Sequence, residues 1–162
     1  MKTLNVVGAI CVLLFGGCAH LHGIPTLEER SHPQVTIGKD GITVNPPILY
    51  FFPGEKDVLV VWHLPKDSKY RFPTDPKSPK EAGIVIEGQV VDRVLRGTDG
   101  TATSVVLAPQ KDEIVKCEVR SRGLEFACLN RHTTPGIYKY TIRVLDPEAK
   151  TPLVRDPPFL NM

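Results

Sequence analysis

From Gln34 to Leu145 apolar and polar side chains alternate in short runs cut by glycine and proline, the two-residue period of strands with one buried face. Gln34 to Ile37 and Ile42 to Val44 flank Gly38-Lys39-Asp40-Gly41, a hairpin turn in which glycine accepts positive φ. Ile48 to Phe52 follows a Pro46-Pro47 pair. Asp57 to Leu64 (DVLVVWHL) is β-branched and apolar on both alternating faces, which predicts a central strand buried between two layers. Ile84 to Ile86, Val90 to Leu95 and Ser104 to Leu107 read as further strands, the last two separated by a Gly97-Thr98-Asp99-Gly100 turn. Ile114 to Val119 and Leu124 to Leu129 flank Ser121-Arg122-Gly123. Gly136 to Leu145 ends the pattern, with Tyr138, Tyr140, Ile142 and Val144 on one face and Lys139, Thr141 and Arg143 on the other. Strand and turn signals recur about every ten residues, the spacing of a sandwich or barrel.

Three stretches lack this period. Ala19 to Pro33 carries Gly, two prolines and mixed charge and reads as a tether, in which His20 and His22 are solvated. Pro65 to Gly83 has prolines at 65, 73, 76 and 79, so it cannot be a central strand, although Tyr70 and Phe72 are placed to dip into the core. Asp146 to Met162, with four prolines, is expected to pack as an irregular strap after the last strand.

Composition narrows the class. The 162 residues suit one domain with a proper core, and 15 prolines with 13 glycines argue for turns and short elements rather than long helices. Twenty basic residues against 18 acidic ones leave a net charge of +2, too even a balance for a nucleic-acid binder. Ahead of the alternating region, Lys2 is followed by an apolar run from Leu4 to Phe15 and then by small residues, the layout of a secretory signal. At twelve residues the run is too short to cross ~30 Å of hydrocarbon as a lasting span.

The run ends in Phe15-Gly16-Gly17-Cys18, which resembles the lipobox of bacterial lipoproteins and departs from it at Phe15, where leucine is usual. The resemblance implies cleavage before Cys18 and a lipid on that cysteine. Buried acyl chains contribute ~0.8 kcal/mol per methylene, so several of them hold stably. Ala19, where an aspartate is the usual mark of inner-membrane retention in that family, implies the outer membrane, facing the periplasm. The expected organisation is a signal peptide over 1–17, a tether over 18–33 and a single β-sandwich domain over 34–162.

With Cys11 in the signal and Cys18 lipidated, Cys117 and Cys128 remain. A two-residue turn at Arg122-Gly123 makes opposed positions sum to 245, which sets Cys117 against Cys128 and Val119 against Phe126 beside the core. An even pair in an exported protein reads as a disulfide, and closing so short a loop contributes ~2–3 kcal/mol. In a strict two-residue hairpin the two cysteines form a hydrogen-bonded pair, where bridges are strained, so a bulge or longer turn would relieve the geometry.

A strand ending in Cys128, then His132 and a Gly136 turn into a final strand, is similar to the copper loop of cupredoxins. In that family Cys, His and usually Met share the loop, and a second His comes from an earlier strand. Here Ile137 stands in the methionine position and Tyr70 in that of the earlier histidine. The resemblance implies an all-β, Greek-key-type β-sandwich, cupredoxin-like or immunoglobulin-like, without the full ligand set that blue copper needs. Outside the resemblance, His132 is expected to be a solvent-exposed loop residue, and Trp62, Tyr138 and Tyr140 core residues.

No Gly-x-Ser-x-Gly elbow, His-Glu-x-x-His pair or phosphate-cradling glycine loop occurs, and the chain is expected to be non-catalytic with no cofactor. The expected function is that of a cell-envelope lipoprotein module acting by protein or surface contact. Its partners are the membrane, through the anchor, and an envelope protein, with no nucleic acid. Lys66, Lys69, Arg71, Lys77 and Lys80 of the proline-rich loop are the candidate contact residues. The alternative is a copper-binding or electron-transfer protein that uses Cys128 and His132.

Overall fold

Val58–His63 forms the middle strand of a five-stranded sheet, as its two-sided apolar pattern demands, with Val60, Val61 and Trp62 buried and Leu59 left exposed. The computed structural model describes residues 24–95, 102–110, 112–148 and 152–162. Its strands are β1 (Gln34–Gly38), β2 (Gly41–Asn45), β3 (Leu49–Phe51), β4 (Val58–His63), β5 (Ile84–Leu95), β6 (Ala102–Ala108), β7 (Ile114–Arg120), β8 (Glu125–Asn130), β9 (Gly136–Val144), β10 (Leu153–Arg155) and β11 (Pro158–Asn161). One sheet runs β2-β1-β4-β8-β7, and the other runs β3-β11-β9-β5-β6 with β10 on β9. Both are mixed, because β1–β4 and β3–β11 pair in parallel.

The two sheets share one core, and the fold is an all-β sandwich. Val35, Val60, Trp62, Phe126 and Cys128 come from the first sheet, and Leu49, Phe51, Ile84, Tyr138, Tyr140, Ile142, Val144 and Phe159 from the second. Trp62 meets Tyr140 with ring centroids 5.6 Å apart, and Phe51 stacks on Phe159 at 5.1 Å. Burying side chains of this size stabilises the fold by ~1.5–3 kcal/mol each. The β1–β2 hairpin closes with Gly38 opposite Gly41, and Gly41 takes the expected positive φ of 106°.

Several elements differ from the sequence expectation. Residues 24–33, assigned to the tether, form α1 (Leu27–Ser31) and its flanks, so the folded body reaches back at least to Pro25, whose carbonyl Arg30 holds. Thr26 caps α1 in a reciprocal box with Glu29. The helix packs against β3 and β4 and so closes the side of the sandwich between an edge of one sheet and the centre of the other. The Pro33 carbonyl then accepts the His63 amide at 3.0 Å, which leads the chain into β1 beside β4.

The two runs on either side of Gly88 are one twelve-residue strand, β5, whose pairing with β9 shifts register between Ile86 and Gly88. Gly88 has φ 153°, and a side-chain carbon there would collide with the Ala108 carbonyl oxygen, so the bulge needs glycine. The tail is not a strap: β10 pairs with β9, and β11 inserts between β3 and β9. Pro158 is tolerated because it stands at the first position of its strand.

The β7–β8 connection is a four-residue turn over 121–124 rather than a two-residue one. Pairs summing to 245 hold from Glu118 to Arg120, and a bulge at Lys116 and Cys117 shifts the register beyond them. The proline-rich loop buries Phe72 fully and Tyr70 partly, as expected, and Arg71 pairs with Leu145 through backbone bonds in both directions. The 97–100 turn, the signal segment and Cys18 lie outside the described residues.

Candidate functional site

Arg30, on the five-residue α1, is only 3% exposed, an unusual place for a guanidinium. Its two terminal nitrogens each lie 2.9 Å from a carboxylate oxygen of Glu55, and its Nε donates to the Pro25 carbonyl at 3.0 Å. A further bond reaches the Tyr50 carbonyl, and the guanidinium sits over the rings of Tyr50 (5.0 Å) and Phe52 (4.9 Å). Glu55 also accepts the Phe52 amide at 2.8 Å. The Arg30 hydrogen bonds, opposed by desolvation, hold the Glu55 carboxyl below the ordinary range, and Glu55 in turn raises Arg30. This fixes the point at which the chain enters the folded body.

The same end of the sandwich holds His132, which is buried at 6% exposure and not the solvent-exposed residue that its loop position suggested. Its φ of 49° and the Asn130 side chain, which accepts the His132 amide, turn the ring inward. Nδ1 then faces the Glu55 carbonyl and Nε2 the Met162 carbonyl, both at 2.9 Å. Asn130 of β8 and Asn161 of β11 exchange amide bonds at 3.0 and 3.2 Å, which joins the two sheets. Glu113, itself buried, accepts the amide and hydroxyl of Thr133. Burial pushes its carboxyl up, but bonds from Thr133 and Thr134 together outweigh that and hold it below the ordinary range.

The cysteines expected to pair do so: Cys117 and Cys128 are bridged, with Cys128 in the core and Cys117 exposed. Both candidate copper ligands are therefore engaged, Cys128 by sulfur and His132 by two carbonyls. Among the described residues no group of three or more His, Cys, Asp or Glu is placed to hold a metal ion. Of the five basic loop residues, Lys69 pairs with Asp146 at 2.9 Å and Glu148 at 3.5 Å, and Arg71 donates to the Ser68 and Tyr70 carbonyls. Lys66, Lys77 and Lys80 are exposed; Lys66 lines one cleft and Lys80 another.

Two further features were not apparent in the sequence. His32, just after α1, stacks on His63 of β4 with ring centroids 5.6 Å apart, and His63 Nδ1 lies 3.5 Å from Glu125. Burial lowers the His63 pKa, Glu125 opposes that, and His32 adds to it. Clefts of about 470 and 530 Å³ flank the stack and share Gln34 in their walls. The second feature is apolar. Along β3 the core takes Leu49 and Phe51, which turns Ile48, Tyr50 and Phe52 to the outer face. The register sets Tyr50 beside Leu160 of β11 and Leu160 beside Ile137 of β9, so an apolar row crosses three strands.

No family model and no curated protein matches the chain.

Proposed function

We propose that the chain is a non-catalytic lipoprotein module of the cell envelope, anchored through a lipid on Cys18 at the periplasmic side of the outer membrane and acting by contact with the membrane or another envelope protein. The observation that carries this reading is the spacing at the N-terminus: a lipobox-like cysteine stands seven residues ahead of Pro25, whose carbonyl Arg30 of the Arg30–Glu55 clamp holds. A short leash tied to a rigid body is what an anchored module requires.

The buried polar chemistry supports contact rather than turnover. Arg30, Glu55, Glu113, Asn130, Asn161 and His132 all bond to chain segments they hold in place. The test is membrane fractionation of the full chain with and without Cys18→Ala. The wild-type protein is expected in the membrane fraction with a mature mass that begins at an acylated Cys18, and the variant is expected to lose both. A Cys18→Ala protein that stays with the membrane, or a mature wild type whose Cys18 is unmodified, would overturn the proposal.

A further inference from the structure

We propose that the outer face of β3, β11 and β9, with the start of α1, is a bilayer-docking surface that lies against the membrane to which Cys18 is tied. This rests on the anchored reading above and adds an orientation to it. The face is built in rows. Ile48 is level with Pro158, Tyr50 with Leu160 and Ile137, and Phe52 with Met162, as the β3–β11 and β11–β9 registers dictate. Ile48 is 46% exposed, and Ile137 and Met162 are each exposed by more than a third. Ile24, at 73%, and Leu27 add apolar surface where the chain enters.

Entry point and face are contiguous. Arg30 accepts no water-facing role: it bonds to Pro25, next to Ile24, while its guanidinium rests over Tyr50 and Phe52. This cation beside the apolar rows is thus buried and neutralised by Glu55. Lys139, which borders the rows beside Pro158, is paired with Glu87 at 2.8 Å and Asp156 at 3.4 Å. Both cations that border the rows, Arg30 and Lys139, are thus ion-paired, and Tyr50 and Phe52 are the ring types that suit a lipid interface.

The length of chain ahead of the body selects the occupant. Six residue steps separate Cys18 from Ile24, and a fully extended chain spans ~3.3–3.6 Å per residue, so the acylated cysteine lies within about 20 Å of this surface. Held that close, a weakly apolar face meets lipid at high effective concentration, and its modest affinity is enough to set the orientation. Glu28 and Glu29 on α1 give no attraction to anionic headgroups, so the contact is apolar and indifferent to salt.

The experiment uses the full lipidated chain in phosphatidylcholine vesicles with and without brominated acyl chains. An environment-sensitive fluorophore is attached at Ile48→Cys or Ile137→Cys, and at Thr36→Cys on the exposed outer face of the other sheet. The docking surface predicts bromine quenching and a blue shift at Ile48→Cys and Ile137→Cys, unchanged by added salt, and neither at Thr36→Cys. Equal, weak quenching at all three positions with Cys18 acylated by mass would overturn the docking while leaving the anchor intact. An unquenched patch that cross-links to a second copy would also overturn it. A mass without acyl groups on Cys18 would remove the anchored reading and the docking with it.

Discussion

Arg30 shows how one side chain can hold a boundary. A guanidinium that is 3% exposed is tolerable only because Glu55 matches it with two oxygens and two backbone carbonyls take further donors. Arg30→Met leaves the Glu55 carboxylate partly buried without its partner and is expected to cost about 3 kcal/mol, read as a lower urea midpoint at unchanged slope. The double variant Arg30→Met with Glu55→Met removes both charges and should lose less than the single one. If the double loses the sum of the two singles, the pair is not coupled as the geometry requires. Neither residue was legible as a clamp in the sequence, because their 25-residue separation carries no periodic signal. The burial of His132 is illegible for a related reason. Loop position suggested solvent, while two carbonyls brought by distant segments bury it.

At the scale of elements, the β7–β8 hairpin is the one whose energetics the sequence constrained best. Cys117 and Cys128 close a loop of 11-residue separation, and the paired substitution Cys117→Ser with Cys128→Ser should lower stability by about 2–3 kcal/mol by freeing the unfolded chain. Denaturant unfolding of the variant against the oxidised parent measures this, and no loss would mean that native strain offsets the closure. Long alternating runs such as β9 were legible because burial imposes period two on them. Short or interrupted elements were not. α1 is too short for a helical period, though Thr26 and Glu29 stand at capping-box spacing and were a usable signal. In sequence β5 reads as two strands because Gly88 looks like a break, and the bulge joins them. β11 was hidden behind Pro157-Pro158 and becomes a strand only because β3 and β9 flank it.

The whole molecule should weaken toward acid in two steps. Burial lowers the His63 pKa, so the unfolded chain takes up protons first, and stability present at neutral pH falls as pH drops below about 6.5. Glu55 and Glu113 are also held low, so their contribution is present above about 4.3 and is lost as pH falls through their folded values. On the alkaline side burial, with Glu113 adding to it, pushes Tyr138 up to about 12, so its share persists below about 10 and fades as pH rises toward that value. Thermal midpoints across pH test the scheme: His63→Gln should flatten the first step alone, and a first step that survives in that variant would assign it elsewhere.

The all-β sandwich, the central place of β4, the buried face of β9 and the pairing of Cys117 with Cys128 all follow from the order of the amino acids. Each is written in neighbouring residues, through alternation, turn chemistry or hairpin register. Three-dimensional packing supplied the rest. It brought α1 to the side of the sandwich, set β11 between β3 and β9, buried Arg30 and His132, and assembled the apolar rows from Ile48 to Met162. These depend on segments far apart in the chain, and no local pattern encodes which distant surface a segment will meet.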